Sequence, residues 1–166
     1  MASLRHSATV CALLATVAFL GTACGGSGKS APATSSNSTV ATADSNVGSI
    51  LVDRQGETLY LFAKDRGGAS ACSGACTKAW PPYAASGAAL HVGSGLKASL
   101  LESVTRADGT KQLTYNGHPL YTFSGDSKAG DINGQRSDAF GARWYVVSPE
   151  GAAIEKAASS GSHMGY

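Results

Sequence analysis

Leu59-Tyr60-Leu61-Phe62-Ala63-Lys64-Asp65 and Leu120-Tyr121-Thr122-Phe123-Ser124-Gly125-Asp126 are two copies of one pattern, Leu-Tyr-x-Phe-x-x-Asp, set 61 residues apart. Each copy leads into a loop rich in Gly, Ala and Ser and then reaches a tryptophan. The intervals are 14 residues (66–79) before Trp80 and 17 (127–143) before Trp144. Self-similarity in a fixed order signals a repeat or an internal duplication. Two copies cannot make a solenoid, so the pattern predicts a duplicated motif folded into one domain.

Alternation within the first copy puts Leu59 and Leu61 on one strand face and Tyr60 and Phe62 on the other. Both faces are apolar, which predicts a strand covered on both sides. Upstream, Ile50-Leu51-Val52 is separated from Thr58–Phe62 by Asp53–Glu57, whose Gly56 suits a turn, so a hairpin is expected there. Ser103–Arg106 and Gln112–Tyr115 flank Ala107-Asp108-Gly109-Thr110, and Asn116-Gly117 then turns the second of these into His118–Phe123. Asn-Gly between alternating strands predicts a type I′ hairpin, with Tyr115 facing His118 and Leu113 facing Leu120. Pro119 lacks an N–H, which suits a sheet edge. Trp144–Val147 and Ala152–Glu155 complete about seven expected strands. The alanines of 71–80 suggest a short helix ended by Pro81-Pro82, and Leu96–Leu101 suggests one helical turn. The predicted fold is mainly β: a small duplicated antiparallel β-sandwich or barrel-like domain with one or two short helices.

The 166 residues allow one domain with tails, carry 14% charged residues and have a net charge of +2. No basic run of five or more occurs, so a nucleic-acid footprint is absent. The N-terminus reads as an address. Arg5 precedes an apolar run from Ala8 to Leu20, which suits a secretory signal and is short for a membrane span. Gly21-Thr22-Ala23-Cys24 follows, small residues before a cysteine as in the lipobox of bacterial lipoproteins, although Leu20 stands four residues before the cysteine and not three. Residues 1–23 are therefore read as a lipoprotein-type signal peptide and Cys24 as a diacylated anchor, with ordinary secretion after cleavage near Ala23 as the alternative. Residues 24–47, dominated by Ser, Thr, Gly, Ala and Asn, read as anchor and disordered linker. The folded unit is expected over 48–157, with repeats at about 48–83 and 102–155, and a polar tail over 158–166.

Taken together, the lipobox-like start, the doubled Tyr-x-Phe-x-x-Asp, Cys72-x-x-x-Cys76-x-x-x-Trp80-Pro81, and Arg106-Ala107-Asp108-Gly109 leading to Tyr115-Asn116-Gly117-His118-Pro119-Leu120-Tyr121 resemble the bacterial secreted-repeat lipoproteins. The resemblance runs from about Gly48 to Gly151. It implies an envelope lipoprotein on the outer face of the cell membrane, with electron-transfer or metal-linked roles suspected and no assigned biochemical activity.

Three sets of residues carry candidate chemistry. Cys72 and Cys76, four apart, suit a disulfide in an oxidising compartment. The same spacing could present two soft thiolates to Cu(I), with His91 or His118 as a third ligand. Tyr60, Phe62 and Asp65, and again Tyr121, Phe123 and Asp126, offer either buried phenols satisfied by carboxylates or tyrosine–aspartate pairs that pass a proton as an electron moves. His118, opposite Tyr115, is the best single candidate for a proton carrier or ligand. Asp126, Asp131 and Asn133 lack the spacing and closing Glu of an EF-hand. No hydrolase elbow, P-loop or His-Glu-x-x-His appears, and the chain is read as non-enzymatic. No cofactor is required by the sequence, although contact with copper or haem remains open. Expected partners are the membrane, through the lipid anchor, and an envelope redox protein, with the domain a monomer. Two further roles stand beside this one: a purely structural or protein-interaction lipoprotein, and a copper-handling protein using Cys72, Cys76 and His118.

Overall fold

A computed structural model describes residues 39–87 and 89–158. The residues read above as signal peptide, as lipidated Cys24 and as linker through residue 38, and those from residue 159 on, lie outside the described residues. Among the described residues eight strands occur in the order β1 (Ala41–Ser45), β2 (Gly48–Val52), β3 (Tyr60–Phe62), β4 (Leu101–Thr105), β5 (Lys111–Tyr115), β6 (His118–Pro119), β7 (Asp138–Ala139) and β8 (Ala142–Val146). One short helix, α1 (Ala75–Ala79), and one 3-10 turn (Ala98–Leu100) fall where the sequence suggests helix. The strands form three small antiparallel sheets, β1-β2, β3-β8-β7 and β4-β5-β6. The fold is mainly β, as predicted, but among the described residues no barrel closes.

The folded unit starts earlier than the sequence suggests. Residues 41–45, assigned above to the disordered linker, form β1 and pair with β2 from Ala41↔Val52 to Ser45↔Gly48. Ahead of them, Thr39 and Val40 are buried, and their amides donate to the His91 carbonyl. Small side chains disguise this strand, because backbone pairing rather than apolar bulk holds it. The hairpin expected between 50–52 and 58–62 is present as a short junction: Val52 bridges Thr58, and the Leu59 amide donates to the Leu51 carbonyl at 3.0 Å. Asp53 closes the turn by accepting the Gln55 and Glu57 amides, each at 2.8 Å.

The Asn116-Gly117 turn forms as predicted, with both residues at positive φ (51° and 75°) and Tyr115 opposite His118. Pro119 lies in β6, at the edge of its sheet, where its missing donor costs least.

The two repeats are related by an approximate two-fold axis, legible in matched hydrogen bonds. Tyr60 and Tyr121 exchange both backbone bonds, at 2.8 and 3.0 Å. The Ala63 amide donates to Arg143 and the Ser124 amide to Ala79, both at 2.9 Å. Leu51 donates to Val147 and Leu113 to Tyr83, both at 2.8 Å. The strand of each repeat that carries the motif therefore pairs with the tryptophan segment of the other. In one direction this makes the ladder of β3 with β8, from Tyr60↔Val146 to Phe62↔Trp144. In the other, Tyr121 bridges Pro82 in an isolated contact, because two prolines in that segment remove the donors a ladder needs.

Alternation places two apolar cores on opposite sides of these central strands. Tyr60, Phe62, Tyr121, Trp80 and Trp144 belong to one, together with Ile50, Val146 and the two cysteines. Leu59, Leu61, Leu120, Leu113, Leu51 and Val147 belong to the other. All three residues of β3 are buried, as the two-sided apolar pattern requires.

Candidate functional site

The first core is built around a row of aromatic rings. Phe62 stacks on Trp144 at 4.1 Å between centroids, Trp144 on Trp80 at 3.9 Å, and Trp80 on Phe123 at 4.3 Å. The two indoles are nearly parallel, 4° apart. The order of the row follows from the exchange of strands, since each phenylalanine meets the tryptophan of the other repeat. Tyr60 meets Trp80 edge-on at 5.3 Å, and Tyr121 meets Trp144 edge-on at 5.0 Å. Edge-to-face contacts of this kind are a favoured aromatic geometry.

The tyrosine hydroxyls reach out of this core to the aspartates, and they too are exchanged. Tyr60 donates to Asp126 Oδ2 at 2.7 Å, and Tyr121 donates to Asp65 Oδ2 at 2.8 Å. The pairs expected from the sequence therefore form, but between the repeats and not within them. Each aspartate uses its other oxygen to hold the loop that follows it. Asp65 Oδ1 accepts the Ala71 amide at 2.7 Å, and Asp126 Oδ1 accepts the Asn133 amide at 2.9 Å. Each phenol has one further neighbour from those loops: Ser70 Oγ lies 2.7 Å from Tyr121, and the Gly134 amide donates to Tyr60 at 3.3 Å. Position 134 must be glycine, because a Cβ there would lie 2.6 Å from the Trp80 ring.

Burial decides the electrostatics. Removal from water, reinforced by the adjacent Asp126, pushes the Tyr60 phenol far above its ordinary range. Burial does the same to Tyr121. It also raises the carboxyls of Asp65 and Asp126, outweighing the amide and phenol bonds that pull them down. At neutral pH the phenols hold their protons, and each faces a carboxyl that is more basic than a free one.

Cys72 and Cys76 form a disulfide across 5.4 Å between Cα atoms, so both sulfurs are occupied by each other. Among the described residues no group of three or more His, Cys, Asp or Glu side chains is placed to hold a metal ion, and His118 does not join the cysteines. The copper site drawn from Cys72, Cys76 and His118 is thus not assembled. His118 is half-buried in β6, while His91 serves the fold through its carbonyl. Asp131 is taken up by the Lys128 ammonium and by the Ser127 amide and hydroxyl, which hold its carboxyl well below the usual range.

Sequence reasoning assigned no role to Arg106, which ties the first repeat's loop together. Its side chain is only 6% exposed; it donates to Ser70 Oγ at 2.8 Å and to the Cys72 carbonyl at 2.6 Å, and also bonds the buried Gln112. Ser70 thus links Arg106 to the Tyr121–Asp65 pair. The signal was present in Arg106-Ala107-Asp108-Gly109, quoted for the resemblance, but a turn motif does not disclose that its first residue points inward.

A family model described as a secreted repeat of unknown function matches residues 41–84 and 102–148. The chain belongs to this family. The two matched segments coincide with the two exchanged halves, and the first begins at β1, which agrees with the earlier start of the domain. As a secreted repeat, the domain is extracytoplasmic. No curated protein and no solved structure matches the chain.

Proposed function

We propose that this secreted-repeat domain is a non-enzymatic one-electron relay, tethered to the outer face of the cell membrane by diacylated Cys24 and serving a redox protein of the envelope. The observation that carries the reading is the pair of exchanged Tyr–Asp hydrogen bonds, 2.7 and 2.8 Å, flanking a parallel tryptophan pair. A strongly oxidising one-electron partner would take an electron from the Trp80–Trp144 pair. Tyr60 or Tyr121 then refills that hole with its own electron and passes its Oη proton to Asp126 or Asp65. The products are a neutral phenoxyl and a protonated carboxyl. A one-electron reductant reverses both transfers. Burial of the carboxyls favours the proton step, because it makes them better bases.

The experiment is photo-oxidation of the chain from Gly25 onward with an external ruthenium photo-oxidant, read by transient absorption and electron paramagnetic resonance. A tyrosyl radical that forms at the expense of a tryptophan radical is expected in the wild type and not in the Tyr60→Phe/Tyr121→Phe double variant. A radical that stays on tryptophan, or one indifferent to that double variant, sinks the proposal.

A second reading is favoured by the other oxygen of each aspartate. Because Asp65 and Asp126 also anchor their loops, the same pairs suit a purely structural or interaction domain. In that case the variants change stability and leave the radical chemistry unaltered.

A further inference from the structure

The hairpin that joins β7 to β8 carries Phe140, the large apolar side chain left exposed among the described residues, at 43%. Its backbone is also unusual. Phe140 sits at φ 61° and Gly141 at φ 88°, so a bulky side chain occupies a left-handed position that favours glycine or asparagine. The tip is held in that shape from below, where the Trp144 indole N–H donates to the Ala139 carbonyl at 3.1 Å. A strained, exposed aromatic on a rigid support is a costly arrangement for a merely structural turn.

Cationic residues lie on the hairpin and on the segments beside it. Lys64 Nζ lies 3.5 Å from the Phe140 carbonyl. Arg143 lies in β8 beside Ala63, Arg136 donates its amide to Trp144, and the Arg66 guanidinium donates to the Ala63 and Asp65 carbonyls. All four cations are exposed, and none is in an ion pair among the described residues. Asp138, opposite Arg143, is the exposed carboxylate of the tip. This excess is local. Setting aside Arg5 and Lys29, residues 39–158 hold 11 Lys and Arg against all 11 Asp and Glu.

We infer that this hairpin is a membrane-docking tip, with Phe140 entering the interface of an anionic bilayer and Lys64, Arg66, Arg136 and Arg143 on its headgroups. A bilayer fits better than a protein partner. A stable protein interface needs a patch of several buried apolar side chains, whereas an aromatic anchor with a basic collar suffices for a charged lipid surface. The inference is independent of the redox proposal, which concerns the interior.

The test is sedimentation of the chain from Gly25 onward with vesicles. That chain lacks the lipid but keeps every contact described above, including both cores and the disulfide. Phosphatidylglycerol–phosphatidylcholine vesicles are compared with pure phosphatidylcholine, at low and high salt. Preferential, salt-sensitive binding to the anionic vesicles is expected, weakened about tenfold or more in Lys64→Glu/Arg143→Glu. Phe140→Gly should also bind about tenfold more weakly while melting no lower than the wild type, since glycine suits that backbone, so its loss cannot be ascribed to misfolding. Equal binding to both vesicle types, undiminished binding by Phe140→Gly, or capture of an acidic protein without vesicle binding would each overturn the inference.

Discussion

Tyr60 and Tyr121, the same position of two repeats, are each other's backbone partners, with the amide of each donating to the carbonyl of the other at 2.8 and 3.0 Å. The local two-fold axis passes between them. Everything else that is exchanged follows from this pair: Phe62 must meet Trp144, Phe123 must meet Trp80, and each phenol must find the aspartate of the opposite repeat. The hydroxyl of each half is satisfied by the carboxylate of the other.

The stacked indoles should be visible by spectroscopy. Rings 3.9 Å apart couple through their strong far-ultraviolet transitions, so the far-ultraviolet circular dichroism should carry an exciton contribution from the tryptophan pair. Trp80→Phe and Trp144→Phe should each abolish it completely, since each variant leaves one indole. An exciton contribution that survives either substitution contradicts the stack.

Gly134 is predicted to be intolerant of a single methyl group. A Cβ there meets the Trp80 ring at 2.6 Å and Tyr60 at 3.0 Å, in the middle of the core. Overpacking of this kind costs about 1–3 kcal/mol. Denaturant unfolding of Gly134→Ala should show that loss; an unchanged midpoint would place the second loop further from the indole.

The disulfide closes only a short loop, and chain entropy then gives about 2 kcal/mol. Cys72→Ser/Cys76→Ser should lose that much and still fold, because Arg106 continues to hold the Cys72 carbonyl at 2.6 Å. Unfolding of the double variant in the absence of denaturant would assign the cysteines a larger share of the stability than loop closure provides.

The exchange was hidden from the sequence for a definite reason. Repetition, alternation and Asn116-Gly117 were enough to indicate a duplicated β domain, the two-sided burial of β3 and the second hairpin. They also named Tyr60, Asp65, Tyr121 and Asp126. They did not say whether Tyr60 would meet Asp65 or Asp126, since a strand carries its motif without stating its partner. Strand β1 was missed although the duplication pointed to it: β1 and β4 occupy the same place before β2 and β5, and superposing the repeats at their 61-residue spacing would have set Ala41 against Glu102, inside β4. Arg106 was missed because burial of a charged residue is fixed by tertiary partners, here Ser70 and Gln112, and leaves no local pattern.

Acid should favour the native aspartates. Burial holds Asp65 and Asp126 above the ordinary carboxylate range, whereas an unfolded Asp titrates near about 3.9. The native state thus binds these protons more tightly than the unfolded chain. The resulting stabilisation is complete below the unfolded value and is lost as pH rises through the native ones. Asn at both positions removes the titration, so wild-type stability relative to Asp65→Asn/Asp126→Asn should be greatest in acid and should decline toward neutrality. Denaturant unfolding across that range checks the sign. A relative stability that climbs with pH would mean that the phenol and amide bonds outweigh burial.

The most direct measurement is a set of double-mutant cycles crossing Tyr60→Phe and Tyr121→Phe with Asp65→Asn and Asp126→Asn, read as unfolding free energies. Exchange predicts coupling of roughly 0.5–3 kcal/mol for Tyr60 with Asp126 and for Tyr121 with Asp65. It predicts additive effects for Tyr60 with Asp65 and for Tyr121 with Asp126. Coupling within the repeats and additivity between them would contradict the exchanged pairs, and with them the relay built on their hydrogen bonds.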